Sequence, residues 1–319
     1  MIQAKNLTKK YGEAIAVRDI SFTAKKGEII GLLGPNGAGK TTTLNMLTGY
    51  LSATEGTVLI DDIDISKEPK RAKANIGYIP DNPPLYPEMT IYEYLKFVAS
   101  LRGIKKSDIS NSIEQVIKLA KIEDIPDKLI KTLSKGYKQR VGLAQAIVGR
   151  PKIIILDEPS SGLDPKQIIE MRDIIIELGK NSHTVILSSH ILHEVSTICD
   201  RIIIINKGKI VASGSMDELS ETLLAGSKIF VKVKGTQEAV SVAFSKIESA
   251  PFSVSKSKDK GICEVLFTGT ASASVREKIF SCAAQNGLSL IELTPITMSL
   301  EDIFLEITED DDDNILEPV

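Results

Sequence analysis

A chain of 319 residues, 42% of them hydrophobic, has the length for about two domains and ample apolar material for a buried core. A formal charge of −3 without any basic stripe argues against a nucleic-acid partner, and three scattered cysteines, Cys199, Cys263 and Cys282, have no metal-ligand spacing and suit a reducing compartment. The opening MIQAKNLTKK is charged where a secretory signal is apolar, and no apolar run reaches the roughly 18 residues of a membrane span, so a cytosolic chain that does not itself cross a bilayer is expected.

In chain order, β-rich segments come first, at Gln3 to Leu7 and Ala14 to Thr23, and again at Thr57 to Ile60. Between them the apolar run Ile29 to Leu33 reads as a buried strand, and GPNGAGKTT follows it as Gly34, Pro35, Asn36, Gly37, Ala38, Gly39, Lys40, Thr41 and Thr42. Thr42 to Leu47, free of Pro and Gly, reads as a helix opening. Strand, Gly-rich loop and helix are the context a phosphate-binding loop needs. The glycines let consecutive N–H groups approach an anion beside a positive helix terminus, Lys40 would bridge β- and γ-phosphates, and the Thr41 hydroxyl would ligand Mg²⁺.

The strand Ile76 to Ile79 leads into a Pro-rich stretch, Pro80 to Pro87, that contains Asp81. Thr90-x-x-Glu93 is a capping box ahead of a helix at Tyr94 to Arg102, which Gly103 ends; a second helix fits Asp108 to Lys121. Leu133-Ser134-Lys135-Gly136-Tyr137 then reads as a second anion site, with a hydroxyl at Ser134, a close backbone approach at Gly136 and the N-terminus of a helix at Lys138 to Val148. Lys135 either aids that site electrostatically or is solvated. The run Ile153 to Leu156 suits a central parallel strand, and Asp157 and Glu158 stand at its C-terminal end, where open α/β sheets bind ligands. Asp157 fits the Mg²⁺ shell and Glu158 the polarisation of the attacking water; the alternative is a pair that caps the turn before Pro159. Asp164 is an N-cap candidate for a helix with Pro165 at its first position. His190 follows a strand at Thr184 to Leu187, whereas His183 and His193 read as structural.

After a further capping box, Ser215-x-x-Glu218, a short helix ends near Gly226 and the pattern restarts. Strand Lys228 to Lys234, helix Glu238 to Glu248, strands Phe252 to Ser257 and Ile262 to Thr268, helix Ala273 to Gln285 and strand Leu288 to Leu293 make a β-α-β-β-α-β order, the ferredoxin-like split motif. Lys258 to Gly261 supplies a hairpin turn, and Ser299 to Ile307 a last helix after Pro295. No chemical constellation falls in this part. Glu309 to Asp313 are five successive acids and read as a solvated, disordered end.

The phosphate loop, the LSKGY segment and the acidic strand, in this order, resemble the nucleotide-binding subunit of an ABC transporter, whose signature is usually LSGGQ. The resemblance implies an α/β P-loop domain at 1–225 with a helical subdomain at about 85–150; the ferredoxin-like pattern then makes an accessory domain at 226–308, before the acidic tail at 309–319. It implies two chains, a homodimer or a heterodimer, that sandwich two ATPs with Mg²⁺ head to tail, the signature of each closing over the ATP of the other. On this pattern Tyr11 stacks on adenine, Ser160 to Asp164 is the D-loop at the dimer interface, and His190 is the switch histidine at the γ-phosphate. Integral membrane permease subunits are the implied partners, met by the helical subdomain, with the chain peripheral on the inner face of the cell membrane. Asp81 departs from the pattern by standing where the family has the Q-loop Gln; it keeps an oxygen for Mg²⁺ but loses an amide donor. Lys135 and Tyr137 also depart, and SKGY-type signatures resemble those of drug-export, copper-processing and gliding-motility subunits, which favours export. Two other readings remain: a soluble ABC ATPase acting on a macromolecule, and a regulatory ATP binder with little hydrolysis.

Overall fold

The computed structural model describes residues 1–219, 228–245, 247, 251–257, 261–268 and 273–296. The chain falls into two compact units, Met1–Met216 and Asp217–Val319. The first unit opens with β1 (Ile2–Tyr11) and β2 (Ala14–Ala24), then β3 (Ile29–Leu33), α1 (Lys40–Leu47), β4 (Glu55–Ile60), β5 (Ile63–Asp64), α2 (Pro69–Ala74) and β6 (Ile76–Ile79). Three helices follow, α3 (Ile91–Leu101), α4 (Ile109–Leu119) and α5 (Lys135–Ile147). The unit closes with β7 (Ile153–Leu156), α6 (Pro165–Lys180), β8 (Thr184–Ser189), α7 (Leu192–Ile198), β9 (Arg201–Asn206) and β10 (Lys209–Gly214).

Two sheets are built from these strands. One is antiparallel in the order β2-β1-β4-β5; the other runs β10-β9-β3-β8-β7-β6 and is parallel except for β10. The continuous apolar runs of β3 and β7 are buried at every residue, as central parallel strands covered on both faces must be. Ile30, Leu32, Ile153, Ile155 and Ile186 join Leu44, Met46 and Leu47 of α1 and the inner face of the antiparallel sheet in one core, where each fully buried Ile or Leu contributes about 1.5–3 kcal/mol.

The helical subdomain starts from the expected capping box, with both arms made: Glu93 N donates to Thr90 Oγ1 at 3.2 Å and Thr90 N to Glu93 Oε2 at 2.9 Å. Ile91, Tyr94, Leu95 and Ala99 form one buried stripe of α3, and the Tyr94 hydroxyl donates to Gln145 Oε1 of α5 at 2.6 Å. Burial pushes the Tyr94 pKa up to about 12, so this phenol stays a donor. Several boundaries move from the sequence reading, α3 opening at Ile91 and not Tyr94 among them, and two of the shifts bear on the site. Helix α5 opens at Lys135, not Lys138, because Ser134 is itself the N-cap, so Lys135, Gly136 and Tyr137 occupy its first turn. Strand β8 continues past Leu187 to Ser189, since both serines keep extended backbone and are buried.

The second unit contains β11 (Lys228–Lys234), α8 (Gln237–Phe244), β12 (Phe252–Lys256), β13 (Ile262–Phe267), α9 (Ala273–Gln285) and β14 (Ser289–Ile296). Its sheet runs β12-β13-β11-β14 with antiparallel pairing throughout, the β-α-β-β-α-β arrangement read from the sequence. Alternate residues Ile229, Val231 and Val233 enter a core centred on Phe244 and Phe267, whose rings meet edge to face at 5.3 Å. β14 runs on to Ile296, three residues beyond the expected end. The short helix continuing toward Gly226, residues 258–260 of the hairpin turn, the helix at Ser299 to Ile307 and the acidic tail lie outside the described residues.

Candidate nucleotide site

Strands β3, β8 and β7 are neighbours, with Leu33 opposite Ser189 and Leu156 opposite Leu187, so the loops after them open at one edge of the sheet. The loop after β3 turns into α1 at Gly39, which has φ 103° and lies so close to Ala16 O that a Cβ there would sit 2.7 Å from it. Only glycine meets both demands. Gly34 and Ala38 are buried, Pro35 partly so, and Asn36 and Gly37 are exposed on the loop. Helix α1 has no side-chain cap, so its leading amides, through Thr42, are left for an anion.

Lys40 is only 5% exposed; its Nζ donates to Gly34 O at 2.8 Å and Pro35 O at 3.1 Å and lies 3.3 Å from Glu158 Oε1. Next to it, Thr41 Oγ1 donates to Asp157 Oδ1 at 3.1 Å. Asp157 is buried and takes a second bond from Ser188 Oγ at 2.7 Å. Burial raises its pKa above the ordinary carboxylate value; the Ser188 and Thr41 bonds oppose that, and the charges of Glu158 and Asp81 add to it. A carboxylate so placed gains by meeting a cation. Glu158 has φ 48°, a left-handed backbone that costs a non-glycine residue on the order of 1 kcal/mol, and its N–H donates to Ser188 Oγ at 2.9 Å. Its carboxylate is shared: Oε1 faces Lys40, and Oε2 is 2.8 Å from His190 Nδ1.

Lys40, Thr41, Asp157, Glu158 and His190 are thus assembled by direct contacts. Asp81 stands exposed after β6, and its backbone oxygen accepts from the buried Gln139 Nε2 of α5 at 2.7 Å, which ties the Pro-rich loop to the helical subdomain. Tyr11 is half exposed at the end of β1 with the Lys9 ammonium 5.3 Å from its ring centroid. Ser134, Lys135, Gly136 and Asp164 have their contacts elsewhere. Ser134 caps α5 by accepting from Tyr137 N, and Asp164 caps α6 by accepting from Gln167 N at 2.9 Å, with Pro165 first in the helix. A Cβ on Gly136 would lie 2.4 Å from the Gln167 amide, and one on Gly162 would lie 2.6 Å from Lys135 Nζ, so the start of α5 packs on the loop before α6. His183 Nδ1 bonds Pro151 O at 2.7 Å, a structural role.

An uncapped helix start behind a Gly-rich loop, a buried lysine, and a threonine hydroxyl beside a carboxylate fit the phosphates of a nucleotide with a hard divalent cation. The family model described as ABC transporter matches residues 17–161. Along nearly the whole chain, the linearmycin resistance ATP-binding protein LnrL of Bacillus subtilis is 33% identical over 312 residues, 97% of this chain and 98% of that one. The chain belongs to the ABC transporter ATP-binding family. It is therefore an ATP-binding, ATP-hydrolysing subunit in general character. The lipopolysaccharide export system ATP-binding protein LptB of Escherichia coli is 36% identical over 221 residues, 68% of this chain and 92% of that one. Among solved structures, the dimeric post-hydrolysis state of the ATP-binding cassette MJ0796 bound to ADP and Pi matches with a TM-score of 0.62 and 26% identity, over 68% of this chain and 99% of that one.

Three residues of this ATP-binding subunit's site went unread in the sequence. Ser188 bonds both acidic residues; the signal was that β8 pairs in register with β7, which sets residue 188 beside residue 157. Gln139 and Glu194 act through partners distant in sequence, Asp81 and Ser160, and no local pattern reveals them.

Proposed function

We propose that the chain works as one of a pair of ATP-binding subunits that energise export across the cell membrane through separate permease subunits. The observation that carries this reading is Glu158, one carboxylate held between a buried lysine and a histidine, beside an Asp157 held by Thr41 and Ser188. ATP is the substrate. When its phosphates enter the loop, Lys40 exchanges the Gly34 and Pro35 carbonyls and Glu158 for phosphate oxygens. Glu158, freed from that cation, takes a proton from the attacking water, while His190 orients it and meets the γ-phosphate. Thr41 and Asp81 would give oxygens to Mg²⁺ and Asp157 would hold its shell through water; the ion, when bound, would offset phosphate charge. Tyr11 stacks on adenine.

Ser134, Lys135 and Gly136 of one chain close over the nucleotide held by the other, and Asp164 lies in the segment that crosses between them. The dimeric relative with ADP and Pi supports this pairing. Two relatives whose names speak of resistance and of an export system support export, as does the likeness of the SKGY signature to drug-export and gliding-motility subunits. For the permease, a cavity of about 490 Å³ lies beside β6 and α3, lined by Tyr50, Tyr78, Leu101 and Arg102 among others. Tyr50 and Leu101 are 81% and 72% exposed there, apolar surface of the kind a partner covers. The ATP-binding domain spans 1–225 and the accessory domain 226–308, before the tail at 309–319; the chain sits peripherally on the inner membrane face.

Phosphate release by the purified chain tests the enzymatic half: saturable Mg²⁺-dependent turnover is expected, and ATP binding without turnover would favour a regulatory module. Cofractionation with membranes tests the other half, and a chain that stays with the soluble fraction in its native cells would favour action on a soluble macromolecule.

A further inference from the structure

Glu158 and His190 are joined twice. The direct bond links Oε2 to Nδ1 at 2.8 Å. The second link leaves the chain two residues after Glu158, at Ser160, whose hydroxyl donates to Glu194 Oε2 at 2.6 Å. Ser189, the residue before His190, donates to the same oxygen at 3.0 Å, and its own Oγ accepts from Ile191 N at 3.0 Å. One hydroxyl therefore pins the backbone on both sides of His190, and one carboxylate oxygen ties that hydroxyl to the segment after Glu158. The result is a closed ring: Glu158, His190, Ser189, Glu194, Ser160 and back to Glu158.

Glu194 lies in the first turn of α7 and is half-buried, while Leu192 and Val195 dock the helix with apolar contacts. Docking alone would not call for a carboxylate there. An ionised carboxylate only accepts, so a single oxygen gathers two hydroxyl donors, and bonds to a charged acceptor are roughly twice as strong as neutral ones. We propose that Glu194 is a positioning residue for hydrolysis: it holds His190 in register with Glu158 and makes that register depend on where the Ser160 to Asp164 segment sits. The inference rests on the reading of Glu158 as the base. Closure of a second chain on that segment then reaches the Glu158–His190 pair through Glu194.

The test uses Glu194→Ala and Glu194→Gln in the full chain, each alone and with His190→Ala. Single-turnover phosphate release, nucleotide affinity and thermal unfolding are the readouts. Glu194→Ala should slow release about tenfold, with ATP affinity held within about twofold, and Glu194→Gln, which keeps an acceptor oxygen, should restore most of the rate. In the His190→Ala background the same Glu194→Ala change should cost no more than about twofold, because the residue it positions is gone. A full tenfold loss in both backgrounds, or a parallel loss of affinity and melting temperature that Gln does not restore, would overturn the role. If Glu158→Gln by itself leaves turnover intact, the base assignment fails; if it abolishes turnover while the two losses multiply, the failure is that of Glu194 alone.

Discussion

Ser188→Ala deletes one oxygen that serves both acidic residues. Ser188 is fully buried, accepts from Glu158 N–H at 2.9 Å and donates to Asp157 Oδ1 at 2.7 Å. An orphaned buried N–H costs about 1–3 kcal/mol and a lost bond to a charged acceptor about 1.5–3 kcal/mol; the two share one site and do not add fully, so about 3 kcal/mol is expected. At about 2–4 °C per kcal/mol for a domain of this size, the nucleotide-free protein should melt about 6–12 °C below the parent. The loss should also depend on pH. Burial raises the Asp157 pKa above its ordinary 3.8, the Ser188 bond opposes that rise, and the alanine variant therefore pushes it further up. Below the unfolded pKa both states keep the proton and nothing is lost; as pH climbs above it the unfolded chain ionises while the buried group holds its proton, and stability falls until the folded pKa is passed. The gap between variant and parent should be narrowest near about pH 4 and widen toward neutrality. Calorimetry of both proteins across that range measures it. A melting temperature within about one degree of the parent would refute the shared role, and a gap constant with pH would refute the coupling to Asp157.

Lys40→Ala should weaken nucleotide binding as well as turnover, since it removes a charge-assisted contact made before the transition state; near-normal affinity with normal hydrolysis, read by titration calorimetry and phosphate release, would contradict the site. Asp81→Ala should lower basal hydrolysis and raise the Mg²⁺ requirement by the loss of an anionic oxygen, and superimposable magnesium titrations of the two proteins would defeat the ligand role. Gly136→Ala, whose Cβ meets the Gln167 amide at 2.4 Å, should spare ATP binding by a single chain while cutting turnover about tenfold or more; equal loss of affinity would contradict a signature that serves the other chain's nucleotide.

Much of this molecule was legible because its signals are local. Five buried apolar residues before a Gly-rich loop define β3 and the turn into α1, Thr90 and Glu93 write the start of α3, and Asp164 with Pro165 writes the start of α6. The same holds for the second unit, where alternating apolar residues and two helical stretches gave the strand and helix order. Legibility failed where a residue's role is set across the sheet. Ser188 and Ser189 are small and polar and fall after the expected strand end at Leu187, yet β7 beside them turns the first toward Asp157 and α7 turns the second toward Glu194. The sequence puts the start of α5 too late because Ser134 and Gly136 read as ligands of an anion, whereas the first also caps the helix and the second packs on Gln167.

Glu158→Gln offers the most direct measurement of the central claim, that two of these chains sandwich ATP and hydrolyse it with Glu158 as base. The amide keeps the shape of the side chain but cannot take a proton, so turnover should fall on the order of 10²–10⁴-fold, about 2.7–5.4 kcal/mol of barrier, while ATP still binds. ATP affinity should be equal or tighter, because Lys40 no longer has a carboxylate 3.3 Å away competing with phosphate. With hydrolysis blocked, gel filtration of this variant in ATP should give a dimer that reverts to monomer when the nucleotide is removed. A variant that stays monomeric in saturating ATP, or one that still turns over at the parent rate, would contradict the account.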